Sequence, residues 1–385
     1  MIEFKNVDLV FGKNPERALP LLDQGYDRDR LQSETGLVLG VSQANLKVNK
    51  GEICVLMGLS GSGKSSLLRC VNGLNPVTRG EVLIEHKGKV LNFFDADAQT
   101  QREIRMKRIS MVFQKFALMP WLTVAENIGF ALDVQGLSKA EINQRVDAQL
   151  ELVGLTEWRD HKPSALSGGM QQRVGLARAL ATESDILLMD EPFSALDPLI
   201  RQQLQEELLQ LQSRLQKTIV FVSHDLDEAL KLGNTIAIMK DGRIVQQGNP
   251  QDIVLHPATQ YVEDFVAHTN PLHVLLCNDI ADPLVEQPNK EGRYCIDTKQ
   301  DCWFNIESKE ASCQNQPVPV QRWQDGEPMT ALRNTPTLVS ASTSFHDALE
   351  IRHRTGYAVL VECDDQSFKV IGDEQLYRGL LGNLD

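Results

Sequence analysis

The 385-residue chain carries several short stretches whose residue types could do chemistry if they were brought together. The segment GLSGSGKSS at 58–66 follows an apolar run, 53–57, and leads into the helix-like SSLLRCVNG of 65–73. Glycine lowers local order, so three of them within six positions need a reason. Between a buried strand and a helix start they let successive backbone N–H groups turn inward, and the helix N-terminus adds its positive end, which suits a phosphate. The pattern GxxxxGKS is met by Gly58, Gly63, Lys64 and Ser65, with Gly61 between. In such a loop the lysine reaches the β and γ phosphates and the serine hydroxyl ligates Mg²⁺. The competing reading is a glycine turn that matches by chance, and the strand-loop-helix setting argues against it.

A second stretch, ILLMDE at 186–191, reads as a central parallel strand ending in two carboxylates. Ligands of open α/β sheets bind at that strand end. Asp190 is placed to hold Mg²⁺ and Glu191 to polarise a water aimed at a γ-phosphate. The strand-like TIVFVS at 218–223 ends in His224, and MVF at 111–113 in Gln114. At neighbouring strand ends both could face the same phosphate, although a lone His or Gln is more often bland. LSGGMQQ at 166–172 precedes an amphipathic helix running to 181 and offers a second glycine-rich helix start. By itself that would be only a cap.

The elements that must position these groups form an α/β pattern. Residues 2–11 alternate like a strand, 13–39 intrude as a polar, partly helical insertion, and 41–48 alternate again. Asp241-Gly242 suits a type I′ turn between two strands. The helical 260–266 gives way to HTNP at 268–271, a linker.

Composition narrows the function classes. A net charge of −13 argues against a nucleic-acid partner, because phosphate recognition shows as a basic excess or patch. No stretch approaches the roughly 18 apolar residues of a membrane span, and the start lacks a signal-peptide pattern. Seven cysteines, at 54, 70, 277, 295, 302, 313 and 363, show no zinc spacing; reduced thiols are expected.

Taken together and in this order, the phosphate loop, Gln114, LSGGMQQ, ILLMDE, SALD at 194–197 and His224 resemble the ATP-binding-cassette (ABC) ATPases over roughly residues 2–250. The resemblance implies a P-loop cassette: a RecA-like core, an antiparallel β subdomain and a helical signature subdomain at about 115–175. It places ATP on Phe11, which would stack on adenine, and on the loop residues Gly58, Ser60, Gly61, Gly63, Lys64, Ser65 and Ser66. Glu191 would be the general base, His224 the switch and Gln114 the γ-phosphate sensor. Mg²⁺ would be held by Ser65, Gln114 and Asp190. Ser167, Gly168, Gly169 and Gln171 would meet the ATP bound to a second copy, with Asp197 supporting the dimer interface. Family partners are a second copy, integral-membrane permease subunits and, indirectly, a solute-binding protein. They put the chain on the cytoplasmic face of the cell membrane. Phe116, Leu118, Met119 and Trp121 could form either a permease-docking surface or helical-subdomain core.

The insertion ending in GLVLGV, together with MGLSGSGKSSLLRCVNGL, MVFQKFALMPWLTVAEN and SALDPLIR, resembles the importers of choline, glycine betaine and proline. Residues 1–268 are therefore expected to be the cassette and 272–385 a small α+β regulatory domain. At about 335–383 the latter resembles a cystathionine-β-synthase (CBS)-type module. Gly372 and Gln375 stand where that family places Ser or Thr and Asp, a departure from its adenosine-binding pattern. A non-transport ABC ATPase fits less well. The 103 residues from Lys64 to Ser167 hold no long coiled coil, and only one GKS and one LSGG occur. An importer ATPase for another solute, and a nucleotide sensor acting through the tail, remain as alternatives.

Overall fold

The computed structural model describes all residues except 115–116, 195, 268–273, 285–287, 290–291 and 382–385. Chain contacts divide it into two units, Met1–Val266 and Ala267–Asp385. The expected linker at 268–271, and Phe116, lie outside the described residues.

In the first unit, β1 (Ile2–Phe11) is followed by two short helices, α1 (Leu19–Asp23) and α2 (Arg28–Thr35), and by β2 (Val38–Val48). The strand thus begins inside the span expected to be insertion. Next come β3 (Ile53–Met57), α3 (Lys64–Val71), β4 (Arg79–His86), β5 (Lys89–Asn92), α4 (Ala98–Lys107) and β6 (Ile109–Val112). Three helices, α5 (Val124–Val134), α6 (Lys139–Leu152) and α7 (Gly168–Ala181), precede β7 (Ile186–Asp190). The unit closes with α8 (Pro198–Leu215), β8 (Thr218–Val222), α9 (Leu226–Leu232), the hairpin β9 (Thr235–Lys240) and β10 (Arg243–Gly248), α10 (Pro250–Leu255) and α11 (Gln260–Val266).

Two sheets form. The larger runs β10-β9-β3-β8-β7-β6, parallel except for the β10 edge. Every residue of β3, β7 and β8 is buried, as a strand covered on both faces requires. The smaller sheet, β2-β1-β4-β5, is antiparallel. Its inward residues Phe4, Val7, Val41, Leu46 and Ile84 share one core with Leu56 and Val222 of the parallel sheet and with Leu67 of α3. The β9–β10 turn has positive φ at both Asp241 (50°) and Gly242 (82°), the geometry of a type I′ turn.

Helices α5, α6 and α7 enclose their own core, with Ile128, Leu132, Val146, Leu150 and Val174 buried. Two capping boxes, Thr123 with Glu126 and Ser138 with Glu141, start α5 and α6. The signature helix begins at Gly168 rather than after the glycines, because Ser167 caps it by accepting from the Met170 amide at 3.3 Å. Leu118 packs against this helical core, whereas the Trp121 side chain is 69% exposed.

The second unit contains α12 (Cys277–Ile280), β11 (Asp282–Pro283), β12 (Arg293–Asp297), β13 (Cys302–Asn305), β14 (Glu310–Cys313), β15 (Gln316–Val318) and β16 (Gln321–Arg322). Then come β17 (Thr337–Ser340), α13 (Phe345–Thr355), β18 (Val359–Glu362), β19 (Phe368–Ile371) and α14 (Asp373–Leu381). A five-stranded mixed sheet, β11-β19-β18-β17-β16, and a four-stranded antiparallel sheet, β12-β13-β14-β15, share the buried side chains Phe304, Leu360 and Phe368. The expectation of reduced thiols fails for one pair. Cys302 and Cys313 sit directly opposite each other on β13 and β14 and form a disulfide, which the 11-residue spacing alone does not announce. Burial raises three other thiols: Cys70 is pushed up to about 12, and Cys54 and Cys277 are also raised.

Candidate nucleotide site

The phosphate loop, Gln114, Asp190, Glu191 and His224 lie at the C-terminal ends of the parallel strands because each follows a buried strand. Strand β3 delivers the phosphate loop, β6 delivers Gln114, β7 delivers Asp190 and Glu191, and β8 delivers His224. One pocket is lined by Phe11, Val38, Gly40, Ser60, Gly61, Gly63, Lys64, Ser65, Ser66, Gln114 and Glu191. It is bordered by strand ends and a helix start, where α/β sheets bind ligands.

The loop glycines are dictated by close approach. A Cβ on Gly58 (φ +135°) would lie 2.1 Å from the Met239 carbonyl oxygen, and one on Gly63 (φ +102°) 2.3 Å from that of Gly40. The backbone therefore closes onto its neighbours while the first amides of α3 keep no partner within the helix. Lys64 is buried and its Nζ donates to the Gly58 and Leu59 carbonyls at 2.8 and 3.0 Å, spanning the loop. Burial holds its pKa below the usual lysine value, against the pull of Glu191 and Asp190. A desolvated ammonium beside the first amides of α3, which have no partner within the helix, suits a polyphosphate.

Ser65 Oγ donates to Asp190 Oδ1 at 2.6 Å, so hydroxyl and carboxylate face each other. The second Asp190 oxygen accepts from Arg69 Nη2 at 2.9 Å. Gln114 Nε2 donates to Glu191 Oε2 at 2.9 Å, which leaves its own carbonyl oxygen for another partner. A hydroxyl, a carboxylate and an amide oxygen are hard donors, and Mg²⁺ takes one or two carboxylates together with substrate phosphates and water. These residues fit that ion.

Glu191 has φ +49°, a left-handed conformation uncommon away from glycine. Its amide donates to the Val222 carbonyl at 3.1 Å, and its carbonyl accepts from Gln172 Nε2 at 3.1 Å. The strained residue is thus pinned from β8 and from the signature helix, as functional positions often are. His224 Nδ1 lies 3.8 Å from the same carboxylate oxygen, on a ring that is 63% exposed.

Phe11 is 39% exposed on the pocket wall, where a Cβ at Gly40 would come 2.6 Å from its ring. Gly40 thus lets the backbone approach the ring closely, while part of the ring stays open to the pocket. The signature residues lie elsewhere: none of 167–171 lines this pocket. A Cβ on Gly168 would meet open space. Gln171 turns inward, its Nε2 donating to the Pro163 and Leu166 carbonyls at 3.0 and 3.2 Å. Asp197 is exposed and caps α8 by accepting from the Ile200 amide at 3.1 Å.

Sequence reading missed Arg69, Gln172 and Arg28. Arg69 stands four residues beyond Ser65 on one helix face, so the i, i+4 spacing could have placed it beside Asp190. Gln172 sits within LSGGMQQ without any distinguishing sign.

Comparison with known proteins agrees with this geometry. The ABC transporter family model matches residues 41–194. The chain is 48% identical over 280 residues to the glycine betaine/proline betaine transport system ATP-binding protein ProV of Escherichia coli, covering 73% of this chain and 69% of that one. It is 48% identical over 279 residues to the glycine betaine transport ATP-binding protein OpuAA of Bacillus subtilis, covering 72% and 66%. The solved dimeric post-hydrolysis state of the ATP-binding cassette MJ0796, bound to ADP and Pi, aligns with TM-score 0.56 and 32% identity over 65% of this chain and 99% of that one. With its phosphate loop, strand-end carboxylates and signature helix in the cassette arrangement, the chain belongs to the family of ATP-binding subunits of ABC transporters.

Proposed function

We propose that the chain hydrolyses ATP as a homodimer to drive uptake of a quaternary amine through a separate permease. The observation that carries the reading is the separation of two half-sites: the phosphate-loop pocket holds Lys64, Ser65 and Glu191, while Ser167, Gly168 and Gly169 stand at an exposed helix start outside it. A second copy would complete each site by laying its signature helix over the bound γ-phosphate. Its charge-assisted contacts disappear when that phosphate leaves, so hydrolysis would open the dimer.

Within one site, Lys64 and the α3 amides would hold the phosphates, and Ser65, Gln114 and Asp190 would hold Mg²⁺, which neutralises charge developing on the transferred phosphoryl group. Glu191 would accept hydrogen bonding from the attacking water, with Gln114 and His224 fixing its carboxylate. Phe11 would stack on the adenine.

Coupling has a candidate surface. Met106, Met111, Met119, Phe130 and Val134 line an apolar groove beside Gln114 and α5, and the side chains of Phe130 and Val134 are exposed. A cytoplasmic helix of the permease would dock there, close enough to report on Gln114. Among the described residues no helix is long and apolar enough to cross a membrane, so attachment would be peripheral and through this partner.

The substrate class rests on the betaine transporters that the chain is similar to. Aromatic recognition of a quaternary ammonium would belong to the solute-binding protein. Uptake of radiolabelled choline and glycine betaine, in cells lacking this protein and with it restored, tests the reading. Restoration by the wild-type chain but not by Lys64→Ala is expected; equal uptake without the protein overturns it. The second unit, with its CBS-like β17–α14 segment, would regulate or stabilise the dimer. Gln375 is engaged by the Gly372 amide at 2.8 Å and by Asp282 at 2.7 Å, which assigns it to capping α14.

A further inference from the structure

The insertion between β1 and β2 is built into the nucleotide pocket. Arg79 clamps it: Nε donates to buried Asp8 at 2.7 Å, and Nη1 donates to both carboxylate oxygens of Asp23 at 2.8 and 3.0 Å. Ala18, Leu22 and Leu31 bury a small core against Val10 and Leu39 of the two strands. Asp27 caps α2 by accepting from the Arg30 amide at 2.8 Å. These contacts fix where the first residue of α2, Arg28, can reach.

Two arginines of this helix have different fates. Arg30 is engaged by Glu34 at 3.0 Å and lies over the Tyr26 ring at 3.8 Å. Arg28 instead lines the phosphate-loop pocket, and its Nη1 donates to the Gly61 carbonyl at 2.6 Å. It makes no ion pair among the described residues. Of the side chains lining that pocket, only Arg28, Lys64 and Glu191 carry charge. A guanidinium has five N–H donors in a fixed fork, so a single carbonyl leaves most of them unspent.

The geometry points to Arg28 as a nucleotide-binding residue: anchored on the phosphate loop through Gly61, it donates to the phosphate oxygens of bound ATP and makes the insertion one wall of the site. The inference rests on reading this pocket as the ATP site. Lys64 supplies a point charge anchored on the Gly58 and Leu59 carbonyls. Arg28 supplies a second cation, anchored on the Gly61 carbonyl, with directional donors. A triphosphate there has no need to be balanced by Lys64 and Mg²⁺ alone.

Equilibrium binding of MgATP and of adenosine to the full chain, at two salt concentrations, tests this. Arg28→Gln keeps an N–H for the Gly61 carbonyl and removes the charge; Arg28→Lys keeps the charge and loses the fork. Loss of one charge-assisted contact predicts about a tenfold rise in the MgATP dissociation constant for Arg28→Gln. Arg28→Lys should fall between it and wild type. Adenosine affinity should be unchanged, and the salt dependence of MgATP binding should weaken. Wild-type MgATP affinity in Arg28→Gln overturns the proposal. So does an equal loss for adenosine, or a nucleotide-free melting temperature lowered in step with affinity, since either makes Arg28 a strut for the loop. Failure of the wild-type chain itself to bind MgATP overturns the pocket reading, and this one with it.

Discussion

The side-chain amide of Gln114 and the carboxylate of Glu191 meet at 2.9 Å across the ends of β6 and β7, although 77 residues separate them. His224 approaches the same oxygen from β8 at 3.8 Å. Three strands therefore converge on one carboxylate, and the backbone of Glu191 is held in a conformation it would not choose freely. Such an arrangement makes sense if the position of that oxygen decides a rate.

Glu191→Gln keeps the shape and the contact with Gln114 but removes the acceptor charge. Steady-state phosphate release should fall by about 10²- to 10⁴-fold, the usual worth of a positioned general base. MgATP binding should persist, and size-exclusion chromatography with MgATP should show a long-lived dimer. Rapid hydrolysis by the variant removes Glu191 from the base role.

Lys64 costs the nucleotide-free fold something. Its pKa is depressed by burial, so the folded state binds this proton less tightly than the unfolded chain does. The penalty is full below the depressed folded value and vanishes as pH rises through it towards the ordinary lysine value of about 10.4. Lys64→Met lacks the penalty. Without nucleotide it should melt at or above wild type near neutral pH, and wild type should gain on it as the pH is raised into the alkaline range. MgATP should raise the melting temperature of wild type only. A fall in the nucleotide-free melting temperature of Lys64→Met would show that the two carbonyl contacts outweigh desolvation.

Among the described residues, Arg69 alone forms an ion pair with Asp190, whose side chain is fully buried. Arg69→Met leaves that carboxylate with Ser65 alone. A cost of about 2 kcal/mol follows from stranding a buried charged acceptor, which lowers the melting transition of the first unit by several degrees. Saturating Mg²⁺ with ATP should recover part of it by supplying a new cation near Asp190. Differential scanning calorimetry with and without MgATP reads both effects.

The candidate nucleotide site was largely legible because the residues expected to form it are carried on contiguous stretches. GLSGSGKSS, the DE pair of 190–191 and the LSGG start each announce a strand end or helix start, and local sequence decides such features. Asp241-Gly242 was readable as a turn for the same reason. Lys87-Gly88 makes a similar turn with φ of 51° and 75°, yet lysine has no preference for that conformation and gives no signal. What escaped depends on register and docking. Cys302 faces Cys313 only once β13 and β14 pair, and Arg28 meets Gly61 only once the insertion folds over the loop. Neither relation follows from spacing along the chain.

In the second unit, Arg352 is half-buried beside α14, with Nη1 3.1 Å from Asp297 Oδ2 and Nη2 2.8 Å from Asp373 Oδ1. Nη1 also donates to the Gly356 carbonyl at 2.9 Å, closing the end of α13. The Asp297 side chain is only 7% exposed and its Oδ1 accepts from the Lys299 and Gln300 amides, so Arg352→Met leaves Oδ2 without its cation and should destabilise this unit by about 2 kcal/mol. Lys299 and Arg352 hold the Asp373 carboxyl below the usual aspartate range. The stability this gives is present above the unfolded aspartate value and is lost as pH falls through the depressed one. Asp373→Asn should therefore melt below wild type at neutral pH, and the gap should close as acid protonates the wild-type carboxylate. Melting of the full chain between neutral pH and pH about 2, which lies below the ordinary aspartate value, reads this, with Lys299→Met as the exposed partner whose loss should cost far less. A gap between wild type and Asp373→Asn that is independent of pH would show that the contact works through packing and not through charge.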